Sequence, residues 1–410
     1  MRSVAEHLAA VLDAVRPVPP LDVVLSDAAG CVLAEDVTAE RDVPGGDRAG
    51  CDGYAVRSLD ARDGVELPVL DDALVTADAP LRLVPGTAVL VSAGAPVPLG
   101  ADAVVPRDRT DRGRAHVVLR GPVGPGENVR TAGQDATAGQ VVLRRGTRLA
   151  ARHLTAAAAL GRSRLWVHPS PRVVVVTVGD ELVEPGRPLT GGRVHDALGV
   201  ALVAAAKDAG TVALRVGPVP DDRARLRETL ADQVVRADVV ILTGGLSGGP
   251  WDGVVDVLAP LGGVRFDQVG LTPGRRHGFG TLTAGGDDDV VDPTGGCVLF
   301  ALPGHPVSAL TSFEMFVRPA LRAMAGYTTL YRPSVTAVVG RGWHSPSGVR
   351  QVVPVVVTGG PRDGYQVRPV ADPEQVSMSA FAGANALAVV PEQTVSVRPG
   401  DRVACMVLEA

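Results

Sequence analysis

Lysine is almost missing from this chain of 410 residues: Lys207 stands alone, and arginine supplies the other basic side chains. Asparagine is nearly as scarce, at Asn128 and Asn385. Both scarcities read as coding bias. Aromatic residues amount to 3% and the formal net charge is −5, so platforms for stacking bases and a surface that attracts phosphate backbones are both lacking. No nucleic-acid partner is expected. The four cysteines, Cys31, Cys51, Cys297 and Cys405, lie far apart without a C-x-x-C pair, which argues against a zinc ribbon and against a disulfide-stapled secreted domain. They fit a reduced cytoplasm. No apolar run approaches the roughly 20 residues that cross a bilayer, so no membrane is expected either. The first residues, Met1 to His7, include an early acid and no long apolar stretch, unlike a signal peptide.

What the chain does have is apolar content of 46%, enough for several buried cores at this length. The most telling segment is Val239-Val240-Ile241-Leu242 followed by Thr243-Gly244-Gly245-Leu246-Ser247-Gly248-Gly249. A short buried strand runs into a glycine-dense loop, where positive φ and close approach to the main chain are permitted. Successive N–H groups in such a loop favour anions. Two further strands end similarly. Val173–Val176 leads to Gly179-Asp180-Glu181-Leu182, and Val298–Leu302 leads to Pro303-Gly304-His305-Pro306-Val307-Ser308. Three such strands predict an open parallel sheet that binds an anionic small molecule outside its carboxyl ends.

Periodicity predicts helices over residues 3–16, 150–160, 198–209, 222–235 and 308–324. Between Gly45 and about Gly146 the chain is rich in Gly, Pro and short valine runs, the pattern of a β module with tight turns. Residues 171 to about 326 alternate strands and helices as an α/β unit, and short valine-rich strands return after Tyr331-Arg332-Pro333. The acidic run Gly285–Asp289 reads most simply as a solvated turn.

Several segments resemble, in order, the motifs of the molybdopterin molybdenumtransferase family, which includes the C-terminal domain of gephyrin. Asp52-Gly53-Tyr54-Ala55-Val56 is similar to its DGYAV, and Gly94–Val105 to its AGxPxPxGADxVV. Gly126-Glu127-Asn128-Val129-Arg130 with Gly133-Gln134-Asp135 resembles GENxRxxGED. The three strand-end loops resemble TGDEL, SGGVSVG and PGNPVSAL. The resemblance spans nearly the whole chain. It implies a multidomain α/β protein: a helical linker domain from residues 1–44 and 147–170, a β-rich inserted domain over 45–146, a three-layer α/β molybdopterin-binding-like domain over 171–328, and a C-terminal β-barrel over 329–410. It also implies an elongated homodimer that takes adenylylated molybdopterin and molybdate, inserts molybdenum and releases AMP with the help of Mg²⁺.

Residue by residue, the resemblance places Asp52, Asp135, Asp221 and Arg275 in catalysis. It places Asp180, Glu181, Asp196, Gly244, Gly245, Ser247, Gly248, Asp252, Pro303, Gly304, Pro306 and Ser308 around the substrate, with Glu181 and Asp252 at the metal. Asp52 and Asp135 would reach the site from the partner subunit. Read without the family, Asp180 and Glu181 serve equally well to cap a following helix. Asp252 is then a cap too, Asp196 and Asp221 are turn residues, Asp52-Gly53 is a good turn, and Pro303 and Pro306 end a strand and start a helix.

The chain departs from the family in the segment Phe266–His277. Gln268 and Thr272 stand where lysine is usual, and PGKPF becomes Pro273-Gly274-Arg275-Arg276-His277. Arg275, with Arg276 beside it, keeps positive charge there. Gln134, Asp108, His305 and Leu198 also replace the usual family residues. The leading expectation is therefore a molybdenum insertase. The alternatives are a divergent paralogue that binds or carries molybdopterin without inserting metal, and a scaffold.

Overall fold

The computed structural model describes residues 1–76, 80–246, 249, 253–282, 296–375 and 377–408. The acidic run at 285–289 lies outside them. At the centre is a six-stranded sheet whose strands are numbered here in chain order. They are β1 (Arg172–Val178), β2 (Val212–Val219), β3 (Val239–Thr243), β4 (Val264–Gln268), β5 (Arg276–Leu282) and β6 (Cys297–Leu302). Their spatial order is β2-β1-β3-β6-β5-β4. The first four run parallel, so the three strands read from the sequence are neighbours, in the register Val173↔Val239↔Val298. Strands β5 and β4 extend the sheet antiparallel, an edge that the sequence patterning did not announce.

Alternate residues of each buried strand point to opposite faces, and both faces are apolar. Val173, Val175, Ile241 and Phe300 meet helix α1 (Val4–Ala14), helix α3 (Ala197–Asp208) and the long helical rod near the chain's last third. Val174, Val176, Leu242 and Leu299 meet α4 (Arg223–Val234) and α5 (Gly253–Leu258) on the other side. The result is three layers. The rod comprises α6 (Pro306–Ser312), a π-helical segment Phe313–Val317 and α7 (Arg318–Met324). Ser3 caps α1 through a reciprocal arrangement with Glu6.

Ahead of this unit, the helix α2 (Ala151–Ala159) packs with a small sheet of Leu21–Val24, Arg164–His168 and Val32–Leu33. A separate five-stranded sheet carries Gly53–Val56 beside Ala103–Pro106 and Ala88–Val91. After the rod, Arg350–Gly360 pairs with both Gly364–Pro369 and Ala386–Val390. Those two strands are joined through Ser334–Val339 and Arg402–Val407, which closes the ring into a barrel. Arg332 anchors the barrel to the α/β unit: it pairs with Glu314 at 2.7 Å and Asp208 at 2.9 Å and donates to the Leu408 carbonyl at 2.8 Å.

Candidate functional site

Three loops meet at the carboxyl ends of β1, β3 and β6, and glycine is what lets them meet. A Cβ on Gly244 (φ +97°) would come within 2.1 Å of the Val178 carbonyl oxygen. One on Gly245 (φ +63°) would lie 2.7 Å from Val254. A Cβ on Gly304 would sit 3.6 Å from the Gly244 Cα, so these two loops face each other backbone to backbone. The space beside them is a cleft of about 460 Å³. Glu181, Asp196, Thr243, Gly244, Gly304 and Pro306 line it, with an apolar wall of Val178, Leu182, Val194, Leu198 and Met378 and two imidazoles, His195 and His305.

The acids at the strand ends divide by what they already hold. Asp196 is 1% exposed and engaged on both oxygens. One accepts from the Gly199 N–H at 2.9 Å, capping α3; the other accepts from the Thr177 hydroxyl at 2.8 Å, with Arg215 at 3.5 Å. Asp180 and Asp221 exchange hydrogen bonds, each N–H donating to the other's carboxylate at 3.2 Å, which ties the loop after β1 to the loop after β2. Both are exposed and neither lines the cleft. Glu181 is different: its carboxylate is exposed, lies over Gly179, and makes no hydrogen bond or ion pair among the described residues. It is the carboxylate left available to a ligand. The helix-capping alternative for Asp180 and Glu181 is not realised, because the chain continues as the short strand Leu182–Val183, paired in parallel with Val194–His195.

Pro306 opens α6 at its first turn, where a missing N–H costs nothing, while Pro303 and Gly304 form the turn before it. Ser308 is buried and its carbonyl accepts from the Ser312 hydroxyl at 2.7 Å. Gly274 (φ +99°) packs against this turn, with its Cβ position 3.3 Å from Ser308. Asp52 accepts from the Ala93 N–H at 2.7 Å, and Asp135 pairs with Arg130 at 2.5 Å. Both are exposed, and neither lines the cleft of its own chain. Ser247, Gly248 and Asp252 lie outside the described residues. Arg275 is exposed; its carbonyl accepts from the Val269 N–H at 2.7 Å, and its side chain lines neither the cleft nor the pocket described next.

On the other flank of the β3 loop is a pocket of about 230 Å³ that includes Leu246, Phe266, Asp267, Gln268, Arg276 and His277. The His277 ring is pushed down to about 4 by burial and is neutral at pH 7. Among the described residues no group of three or more His, Cys, Asp or Glu could enclose a metal ion. Sequence reasoning missed His195 and the apolar wall, which the Leu182/Val194 pairing brings into the cleft. It also missed Met378, which opens a short helix, α8 (Met378–Ala382), beside the barrel. Met378 is brought in by tertiary packing, for which no local pattern exists.

Residues 2–161 match the family description "MoeA N-terminal region (domain I and II)", residues 174–323 match "Probable molybdopterin binding domain", and residues 336–408 match "MoeA C-terminal region (domain IV)". The chain is 36% identical over 414 residues to molybdopterin molybdenumtransferase 2 of Mycobacterium tuberculosis, covering 98% of each. It is 37% identical over 441 residues to molybdopterin molybdenumtransferase 1 of the same organism, again covering 98% of each. The crystal structure of a molybdopterin biosynthesis MoeA protein from Pyrococcus horikoshii superposes with a TM-score of 0.80 at 27% identity, covering 100% of this chain and 99% of that one. With these matches running along nearly its whole length, this chain belongs to the molybdopterin molybdenumtransferase family.

Proposed function

We propose that this chain is a molybdenum insertase, converting adenylylated molybdopterin and molybdate to molybdenum cofactor and AMP. The observation that carries this reading is the cleft at the sheet's carboxyl end, where glycine backbone faces an unengaged carboxylate, Glu181. Bare glycine loops let a phosphate approach main-chain N–H groups, and the Val178, Leu182, Val194 and Leu198 wall suits the face of a flat heterocycle. Glu181 alone fits Mg²⁺ better than Ca²⁺, because Mg²⁺ keeps several waters and is held through one or two carboxylates plus substrate phosphates. Bound there, the ion would neutralise phosphate charge. Asp196 holds the start of α3 against β1 and so keeps the cleft's wall in register. Acceleration would come from holding the two anions together and stabilising developing charge.

The site is completed, on this reading, in a homodimer by Asp52 and Asp135 of the partner subunit. Both are exposed at loop positions, where a second copy could meet them. The rival reading, a carrier that binds molybdopterin adenylate without inserting metal, is favoured by one observation: Gln268 and Thr272 bring no charge to the segment that also holds Arg275. Turnover decides between them. The insertase releases AMP in a molybdate-dependent manner, whereas the carrier binds the adenylate and releases none.

A further inference from the structure

One wall of the cleft stands on little backbone. Leu182, Val194 and His195 belong to a flap, residues 182–195, that leaves the end of β1 and returns to the start of α3. Its ladder has two rungs, Leu182↔Val194 and Val183↔His195. A pairing that short is marginal without further support. Residues 185–193 are exposed, and a His195 ring N–H donates to the Arg187 carbonyl at 2.9 Å within the flap. Among the described residues, one flap side chain makes a hydrogen bond or ion pair with the rest of the protein: Glu184, which pairs with Arg215 of β2. The Arg215 guanidinium also reaches Asp196 at 3.5 Å, so one cation joins the flap, the start of α3 and the edge strand of the sheet. A planar fork suits that task, since its nitrogens serve two carboxylates at once. Glycine in the first turn of α3 makes room for it: a Cβ on Gly199 would stand 2.3 Å from the Arg215 Cδ.

We propose that Arg215 is a positioning residue for the cleft. Through Glu184 it holds the flap in the stance that makes the cleft's wall, and through Asp196 it keeps that stance in register with α3. Arg215 itself does not line the cleft. The inference rests on the insertase reading for the ligand that the cleft takes, and makes a separate claim about what latches its wall.

Limited trypsin digestion reads the latch directly. The Arg193–Val194 bond lies at the foot of the flap, whereas Arg187 is followed by Pro188 and resists trypsin. Glu184→Gln leaves Arg215 paired with Asp196, so the fold is kept while the flap loses its tie. Cleavage at Arg193, scored by mass spectrometry of the new Val194 terminus, should rise by roughly two- to fivefold, the effect of one partly exposed ion pair on a local opening. Arg215→Gln should raise it at least as much, and the double variant no further than Arg215→Gln alone, because the two side chains form one contact. Arg215→Lys keeps a cation between the two carboxylates and should return the rate to within about twofold of wild type. Wild-type rates in both single glutamine variants would overturn the latch, as would equal rates in Arg215→Lys and Arg215→Gln. So would a rise matched at tryptic sites outside the flap, which marks general loosening. AMP is the probe for the cleft: at saturation it should slow the cut at Arg193, and bound AMP that leaves the rate unchanged would overturn the flap's place at the ligand. A wild type that binds no AMP, while the variants keep this cleavage pattern, retains the latch and loses the proposed function.

Discussion

Asp196 and Glu181 look alike in the sequence, two acids just past strand ends, and the structure separates them. Asp196 spends both oxygens on Gly199, Thr177 and Arg215 inside the protein. Glu181 spends none among the described residues. Asp196→Ala should therefore lower stability by about 2 kcal/mol, since a helix cap is lost and a buried hydroxyl is left unsatisfied. Glu181→Gln should leave the urea midpoint within error while abolishing any Mg²⁺ dependence of adenylate binding. Equal stability losses in the two variants would erase the distinction. A second pair belongs to the same scale. The His7 and His277 rings lie tilted 5.4 Å apart, both edge-on to Phe316, and burial pushes both down to about 4. The nearby His277 and Arg2 push His7 down further, against the pull of Asp267. Their folded values lie below the ordinary 6.5, so their contribution is present above that pH and is lost as pH falls from about 6.5 towards 4, by up to roughly 3 kcal/mol for each ring. Denaturant titrations at pH 7.5, 6 and 4.5 should show that decline, with a shallower slope in His7→Leu. An unchanged slope would remove His7 from the account. Neither distinction was legible beforehand, because hydrogen-bond partners that are distant in sequence decide which carboxylate or imidazole is free.

At the scale of elements, the legible parts were those with strong local signals. The strand Val239–Thr243 was read correctly because four apolar residues ended by paired glycines leave few alternatives. The helix expected from residue 308 begins two residues earlier at Pro306 and passes through a π segment that periodicity does not mark. Strands β4 and β5 escaped notice because the segment from Phe266 to Phe279 mixes Gly, Pro and charge, and its order comes from pairing of β4 with β5 and of β5 with β6. The glycine requirement itself is testable. Gly244→Ala would drive a methyl into the Val178 carbonyl from a left-handed backbone, so the β1 and β3 loops must separate. The expected result is a Tm lowered by several degrees together with weakened adenylate binding, whereas Gly304→Ala, whose Cβ meets its nearest neighbour at an ordinary 3.6 Å, should keep its Tm. Normal binding by Gly244→Ala would show that the close approach does not shape the cleft.

For the molecule as a whole, the ordered motifs led to the family, and the closed barrel and three-layer unit agree with the architecture that the resemblance implied. What the sequence could not supply is the relation of the β module's acids to the cleft: Asp52 and Asp135 bond within their own module and lie apart from the cleft lining of the same chain. A shared site therefore predicts a dimer. Light scattering at micromolar concentration should report twice the chain's 42.1 kDa, and a monomer there would contradict the shared site. The most direct measurement is AMP release from adenylylated molybdopterin, followed as molybdate is added, in the wild type and in Glu181→Gln. The account predicts release that depends on molybdate and Mg²⁺ in the wild type and is lost in the variant at unchanged stability. Tight binding of the adenylate with no AMP released at any molybdate concentration would contradict it.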